Sequence, residues 1–260
     1  MININIPSLL LYYNIWNTKT KRLTPSFSIR KAEGVKNCTI NKMLGTIKAM
    51  LNYLVKEHLI TESHITMQKL KYKEAKLIIP TPEEILRFKK YMDNQAPLEY
   101  RVMFYILIDT GLRRSSIANL LITDINLDEQ SIIPSHTKEN NEIKVYFGNK
   151  TKSLITEFIM LKKGLKSKFL FPSKSPQKPI EATTITKIFI GIRNELGIPS
   201  ISPHRLRHYF GTNLIRNNVN PEVVRKLLGH SSIYMTQRYI NLNDNDLKSA
   251  SINYSLADNL

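Results

Sequence analysis

The sequence predicts a mainly α-helical protein with a small β-hairpin or sheet, an α+β fold in two domains. Apolar residues recur at helical spacing in several segments with capping signals, such as residues 39–58 and 184–196. Two short β-type runs, residues 131–134 and 143–147, flank a polar turn and predict a hairpin. Residues 69–80 are basic and then extended, which is typical of a linker between domains.

The linker places a domain boundary near residues 75–79, which gives domains of residues 1–76 and 77–260. In the first domain, Thr39 is the predicted N-cap of the helix over residues 39–58. Lys42 and Lys48 lie off its apolar stripe and could contact phosphates, the alternative being ordinary solvated lysines.

The second domain begins with a helix start, Thr81-Pro82-Glu83-Glu84, in which Thr81 caps the helix and Glu84 completes a capping box. A second helix ends at Gly111. The remaining predicted elements are a short helix at 115–121, the hairpin, a helix at 152–163, a strand at 169–171, a helix at 184–196, a helix starting at Asn220-Pro221-Glu222 and a final helix starting at Asp244 or Asn245.

Charge and cysteine content restrict the partner and the compartment. The 260 residues carry a formal net charge of +17, spread along the chain, which favours nucleic acid over a membrane as partner. The apolar run near the N-terminus contains Pro7, lacks a positive flank and is too short to span a bilayer. A single cysteine, Cys38, excludes an intrachain disulfide and fits a reducing cytoplasm. The chain has none of the common metal or nucleotide motifs, so no cofactor is expected.

The segment 201–239 carries the candidate chemistry. His204 and Arg207 are three residues apart, so on a helix they share a face that can hold one phosphate. Gly229-His230 follows an apolar run, and Tyr239 comes nine residues later in a segment expected to be a movable arm. Taken singly, these residues have ordinary alternatives: a solvated helix face, a helix C-cap and a packed tyrosine.

A metal site is a further alternative, because His204 and His208 have the i, i+4 spacing used for zinc. Arg205 and Arg207 flank these histidines, and no carboxylate stands where the helix would need one. Since crowding cations against Zn²⁺ is unfavourable, the sequence argues against metal binding.

Order and spacing together resemble a known family. H-R-L-R-H at 204–208 and L-L-G-H at 227–230, followed by Tyr239, resemble the second signature box of the tyrosine recombinases, the family of phage integrases and Xer proteins. T-G-L-R at 110–113 resembles the first box, and the similarity runs in unbroken order from Thr81 to Tyr239.

The resemblance implies a helical, SAM-like core-binding domain at 1–76 and a catalytic domain with a C-terminal exchange segment at 77–260. Together these domains would form a C-shaped clamp around duplex DNA. It implies site-specific recombination (integration, excision or dimer resolution) by a homotetramer on synapsed DNA that is a monomer or weak oligomer when free. The expected location is the cytoplasm, in association with the nucleoid, with no membrane partner.

The resemblance also implies the catalytic residues. Tyr239 would attack the scissile phosphate and form a 3′-phosphotyrosine, while Arg113 and Arg207 would hold the non-bridging oxygens. His204 and His230 would donate hydrogen bonds or accept the tyrosine proton.

Lys138, at the start of the hairpin turn, would protonate the leaving 5′ oxygen, with Lys144 and Lys150 as neighbouring competitors. Lys144 and Arg205 are further candidate DNA contacts. One departure concerns the first box, where Ser116 stands in place of the family's usual acidic residue, which removes an expected partner of Arg113.

Two other functions compete with recombination. A type IB topoisomerase-like enzyme would share the chemistry but act as a monomer, and His204 in place of a lysine argues against it. A catalytically idle DNA-binding accessory protein would bind DNA without cleaving it.

Overall fold

The computed structural model describes residues 34–59, 69–72, 77–135, 143–162, 164, 167–237 and 239. The chain divides into two compact units, Met1–Lys76 and Leu77–Leu260. The apolar run near the N-terminus and the predicted final helix at Asp244 or Asn245 lie outside the described residues.

The first unit contains one described helix, α1 (Asn37–Lys56). The predicted cap at Thr39 is wrong, because Thr39 lies within the first turn and its backbone N–H donates to the Lys36 carbonyl at 2.9 Å. A tertiary contact holds the second turn of the helix. The Asn41 side chain donates to the Leu70 carbonyl and accepts from the Leu70 N–H, both at 2.8 Å. The buried side of α1 carries Ile40, Leu44 and Leu51.

Eight α-helices are described in the second unit. They are α2 (Pro82–Asn94), α3 (Leu98–Thr110), α4 (Arg114–Ala118), α5 (Asn149–Leu161), α6 (Ala182–Glu195), α7 (Pro203–Arg216), α8 (Pro221–Leu228) and α9 (Tyr234–Gln237). Within the described ranges, no helix is long and apolar enough to cross a membrane.

The capping box predicted at the start of α2 is confirmed. The Thr81 side chain accepts from the Glu84 N–H at 3.2 Å, and the Glu84 carboxylate accepts from the Thr81 N–H at 2.8 Å. Pro82 occupies the first helical position, as expected. The start of the second unit is therefore specified locally.

A three-stranded antiparallel sheet contains the predicted hairpin in shortened form. Its strands are β1 (Ile125–Asn126), β2 (Ser131–Ile132) and β3 (Val145–Tyr146), in that order. Ile125 pairs with Ile132, which in turn pairs with Val145. Strand β1 was not predicted, because a two-residue strand leaves no alternation to detect.

The predicted strand at 169–171 is wrong. Phe169 pairs with Leu121 only as an isolated bridge, so this segment does not join the sheet. Its backbone is held instead by the bond from the Leu170 N–H to the Leu120 carbonyl at 2.8 Å.

Helix α5 begins earlier than predicted because its start is held by a side chain from another helix. The Asp109 carboxylate, near the end of α3, accepts from the Gly148 N–H at 3.0 Å and from the Thr151 hydroxyl. A carboxylate at a helix N-terminus accepts from N–H groups that have no partner within the helix, and its charge interacts favourably with the positive end of the helix dipole. This contact connects the start of α5, which follows β3, to the end of α3.

Helix α3 is the centre of the core. Its residues 102–107 are all buried, as in a helix that is covered on every side. It packs against α5 and α7. The Phe88 ring lies 5.5 Å from the Phe104 ring and 5.7 Å from the Phe189 ring, so three helices share one aromatic contact.

We predict that Thr81→Ala destabilises the second unit by about 1 kcal/mol, because it removes the acceptor of the capping box. Urea unfolding followed by circular dichroism measures the change. Thr81→Ser keeps the hydroxyl and should stay close to the wild-type midpoint. Equal midpoints for the alanine and serine variants would show that the box contributes nothing to stability.

Candidate active site

The first box is built on the end of α3. Gly111 ends the helix in the left-handed conformation, with φ of 61°. A Cβ at this position would lie 2.5 Å from Cδ1 of Phe210, so α7 approaches here closely enough to require glycine. Arg113 follows as the extended N-cap residue of α4, and its Nη2 donates to the Gly229 carbonyl at 3.1 Å. The first box therefore contacts the second box directly.

Arg207 joins three segments of the chain. Its side chain is 6 % exposed. Nη1 donates to the Gly111 carbonyl at 2.8 Å, and Nη2 donates to the Leu228 carbonyl. Two carbonyl partners offset part of the cost of burying the charge.

The end of α8 receives both guanidinium groups. Gly229 ends this helix in the left-handed conformation, with φ of 56°. The neighbouring carbonyls of Leu228 and Gly229 accept from Arg207 and Arg113 respectively. A Cβ at Gly229 would overlap Cδ1 of Ile143, so the residues just before β3 pack against the same turn. The two guanidiniums therefore bind neighbouring carbonyls of one helix end.

Tyr239 is packed against α7 and α8 of its own chain. Its side chain is 5 % exposed and belongs to a small apolar cluster with Val224 and Leu228. A Cβ at Gly211 would lie 3.3 Å from Cε2 and Cζ of the tyrosine ring, so the ring lies close to the α7 backbone.

The Tyr239 hydroxyl bonds to a histidine that was assigned no catalytic role. It lies 2.8 Å from Nδ1 of His208, whose Nε2 lies 2.8 Å from Nε2 of His204. His208 is buried and His204 is exposed. The Tyr239 hydroxyl is therefore connected to His204 through the imidazole of His208.

His230 lies beside the tyrosine ring. The two rings are nearly parallel, with an interplanar angle of 9° and centroids 6.0 Å apart. Nδ1 of His230 lies 2.9 Å from the hydroxyl oxygen of Thr236, which is fully buried in α9. The His230 carbonyl accepts from Arg225 at 2.7 Å. The hydrogen bond between Arg225 and Glu222 lowers the pKa of the Glu222 carboxyl, so this pair stays charged near neutral pH.

Five of the six predicted catalytic residues are therefore connected, the arginines through the Leu228 and Gly229 carbonyls and His204 through His208: Arg113, His204, Arg207, His230 and Tyr239. Lys138 lies outside the described residues. Its predicted competitor Lys144 bonds to Glu129, and this bond raises the pKa of the Lys144 ammonium and lowers that of the Glu129 carboxyl. Lys150 is exposed near the start of α5.

The candidate DNA contacts lie on both units of the chain. Lys42 and Lys48 are exposed on α1 of the first unit. Arg205 lies on α7, where its Nη1 donates to the Pro199 carbonyl at 2.6 Å.

Sequence reasoning missed the contributions of His208, Gly211 and Thr236 to the cluster. His208 was considered only as a metal ligand, although its i, i+4 spacing from His204 also predicts direct contact between the two rings. The described part of the chain contains no group of three or more potential metal-ligating side chains.

Comparison with known proteins supports a common family. A sequence profile of the phage integrase family matches residues 80–246. The tyrosine recombinase XerD of Pasteurella multocida is 30 % identical over 230 residues, which cover 84 % of this chain and 76 % of that protein. The tyrosine recombinase XerC of Listeria welshimeri is 27 % identical over 229 residues, with the same shares covered.

Solved structures show the same fold. The Tn1549 transposon integrase in complex with circular intermediate DNA superposes with a TM-score of 0.71 and 21 % identity, covering 85 % of this chain and 80 % of that one. The XerH site-specific recombinase bound to its difH substrate gives a TM-score of 0.64 and 23 % identity, covering 80 % and 63 %. The profile match spans more than half of the chain and includes both arginines, both histidines and the tyrosine of the cluster, so this protein belongs to the phage integrase family of tyrosine recombinases.

Proposed function

We propose that this protein is a site-specific DNA recombinase that cleaves and rejoins strands through a 3′-phosphotyrosine at Tyr239. The observation that carries the proposal is the cluster itself, in which Arg113 and Arg207 bond to the adjacent Gly229 and Leu228 carbonyls while Tyr239 packs on Leu228 and beside the His230 ring. The names of its relatives agree with this activity, since they include XerC and XerD recombinases.

Each group has a distinct task in the proposed reaction. The Tyr239 oxygen attacks the phosphorus in line with the leaving 5′ oxygen, and the two guanidiniums stabilise the charge that builds on the non-bridging oxygens. His204 and His230 donate hydrogen bonds to the same phosphate or take up the phenolic proton. Lys138 supplies the proton that the 5′ oxygen needs as it leaves.

Rejoining is the reverse of cleavage. A 5′ hydroxyl attacks the phosphotyrosine, the phenol is released, and the energy of the original phosphodiester has been kept in the covalent intermediate. Attack by a 5′ hydroxyl from a second site then exchanges strands. This chemistry requires only the residues of the chain and DNA.

The partner in this proposal is double-stranded DNA that carries a specific recombination site. The net charge of +17 supports a polyanionic partner, and several structural neighbours were solved on DNA. We further propose that the first unit is a helical core-binding domain, that both units clamp the duplex, and that four copies assemble on two synapsed sites. We expect the protein to be associated with the nucleoid, where such sites lie.

Tyr239→Phe should abolish covalent attachment to DNA, because phenylalanine has no oxygen to attack the phosphate. A nicked suicide duplex carrying the cognate site, resolved on a denaturing gel, measures the adduct. Tyr234→Phe is the matched control: this tyrosine is 76 % exposed, and its variant should form the adduct normally. A 3′ adduct formed by Tyr239→Phe would refute the nucleophile assignment.

Arg207→Lys should lower single-turnover cleavage by about 10²–10³-fold, because an ammonium cannot reach the Gly111 and Leu228 carbonyls and a phosphate together. Arg216→Lys, exposed at the end of the same helix, controls for the loss of a guanidinium and should cleave at the wild-type rate. Thermal unfolding reports the accompanying loss of stability. Wild-type cleavage by Arg207→Lys would remove this arginine from the mechanism.

Lys42→Ala and Lys48→Ala should each weaken DNA binding and reduce the slope of log K against log salt by about 0.9, if each lysine neutralises one phosphate. Binding titrations at several salt concentrations measure the slope. Lys89→Ala is the control, since the Asp93 carboxylate already accepts from this ammonium at 2.8 Å. Slopes equal to that of Lys89→Ala would leave these two lysines as solvated surface charges.

A further inference from the structure

His208 occupies a position in the cluster that the chemistry above leaves unused. Its side chain is 4 % exposed, its Nδ1 lies 2.8 Å from the Tyr239 hydroxyl, and its Nε2 lies 2.8 Å from Nε2 of His204. Both distances are within the reach required of a proton acceptor or donor. A buried imidazole therefore connects the hydroxyl of the nucleophile to an exposed imidazole.

The helix produces this contact directly. His204 and His208 are four residues apart on α7, and their ring centroids lie 4.2 Å apart at an angle of 72°. Two imidazole nitrogens at hydrogen-bond distance share one proton, so one of them donates while the other accepts. If His208 carries its proton on Nε2, its Nδ1 has a lone pair directed at the Tyr239 hydroxyl.

We propose that His208 is a further catalytic residue, which accepts the phenolic proton of Tyr239 and passes its own Nε2 proton to His204. The inference rests on the proposed function, in which Tyr239 is the nucleophile. It differs from the roles given above, where His204 or His230 would take the proton themselves.

The step balances in atoms and charge. The O–H bond of Tyr239 breaks as its oxygen bonds to phosphorus, and the proton moves to Nδ1 of His208. The proton on Nε2 of His208 moves to Nε2 of His204, which becomes cationic and is exposed to exchange with water. The bond from phosphorus to the 5′ oxygen breaks, and Lys138 protonates that oxygen in the proposed mechanism. Rejoining moves each of these protons back.

Packing around the tyrosine supports a protein base over bulk water. Tyr239 is 5 % exposed, and α7 lies close to its ring at Gly211. His230 lies parallel to the ring face, with Nδ1 directed to Thr236, whereas Nδ1 of His208 lies at the hydroxyl. A free phenol has a pKa of about 10 and an imidazole about 6.5, so proton transfer is favourable only as the attack proceeds. His208 thus acts as a general base during attack.

Other titratable and charged groups lie near His208 and Tyr239. Among the described residues they include His204 and Arg207 on α7 itself, Arg113 next to α3, and His230 beside α8. The test must therefore separate loss of a base from loss of charge or of packing.

The variant that makes this separation is His208→Asn. The asparagine oxygen can accept from the Tyr239 hydroxyl in place of Nδ1, but it cannot take up a proton at neutral pH. Single-turnover cleavage of a suicide duplex should fall by about 10²–10⁴-fold, while DNA affinity and thermal unfolding stay unchanged. The pH–rate profile should lose the limb that follows imidazole deprotonation and rise instead toward the pKa range of phenol.

Two chemical changes, one in the Tyr239 phenol and one in the substrate, identify which proton transfer is lost in His208→Asn. Fluorinated tyrosine at position 239 has a more acidic phenol and should restore part of the His208→Asn rate, because it depends less on a base. A substrate with sulfur in place of the bridging 5′ oxygen has a better leaving group and should rescue Lys138→Ala but not His208→Asn. A loss of rate that fluorination does not relieve, with an unchanged pH profile, would assign His208 to packing and overturn the proposal.

The full-length wild-type chain provides a test that does not depend on the variant folding. If His208 is the base, fluorination of Tyr239 leaves the lower limb of the pH–rate profile at the imidazole range. If that limb shifts with the acidity of the phenol, the tyrosine ionises before attack and the proposal fails. Failure of the proposed function has a different signature: wild-type protein would form no adduct, or Tyr239→Phe would still form one.

Discussion

The buried guanidinium of Arg207 is the contact on which the rest of the site depends. It donates to the Gly111 carbonyl at the end of α3 and to the Leu228 carbonyl at the end of α8, so one side chain holds three helices together. Both acceptors lie at helix C-termini, where the last carbonyls lack partners within the helix and the helix dipole is negative. A fixed cation is favourable at such a position, and burial then gives it a single orientation.

The same principle accounts for the two glycines in the signature boxes. Gly111 and Gly229 each end a helix in the left-handed conformation, with φ of 61° and 56°. This geometry presents terminal carbonyls to Arg207 and Arg113. Each glycine also lies where a Cβ would collide with a neighbouring side chain, Phe210 in one case and Ile143 in the other. Local conformation and close packing thus require the same residue for separate reasons.

Around this arginine pair, the remaining groups are arranged by short-range contacts. Tyr239 packs on α7 and bonds to His208, and His208 in turn bonds to His204. Thr236 fixes one nitrogen of His230 beside the tyrosine ring. The start of α5, which follows β3, is held at the end of α3 by the Asp109 carboxylate. Activity as proposed here needs these contacts to place a phosphate, a nucleophile and a proton acceptor together.

Local signals in the sequence determined the features that depend on a few neighbouring residues. The capping box at Thr81, the helix stop at Gly111 and the helix start at Asn220 are confirmed, because each depends on bonds within a turn or on backbone conformation. The spacing of the signature residues also identified the family and five members of the cluster.

Tertiary structure decided what depends on distant partners. Helix α1 begins at Asn37 without a side-chain cap, and the start of α5 is held by Asp109 of another helix, so local sequence signals placed both starts incorrectly. The pairing of β1 with β2 and the isolated bridge at Phe169 depend on strands too short to show alternation. His208 becomes part of the site only because Tyr239, 31 residues later, folds back onto α7. Residue type and spacing specify helices and candidate chemistry, whereas hydrogen-bond partners far apart in the chain are chosen only when the core packs.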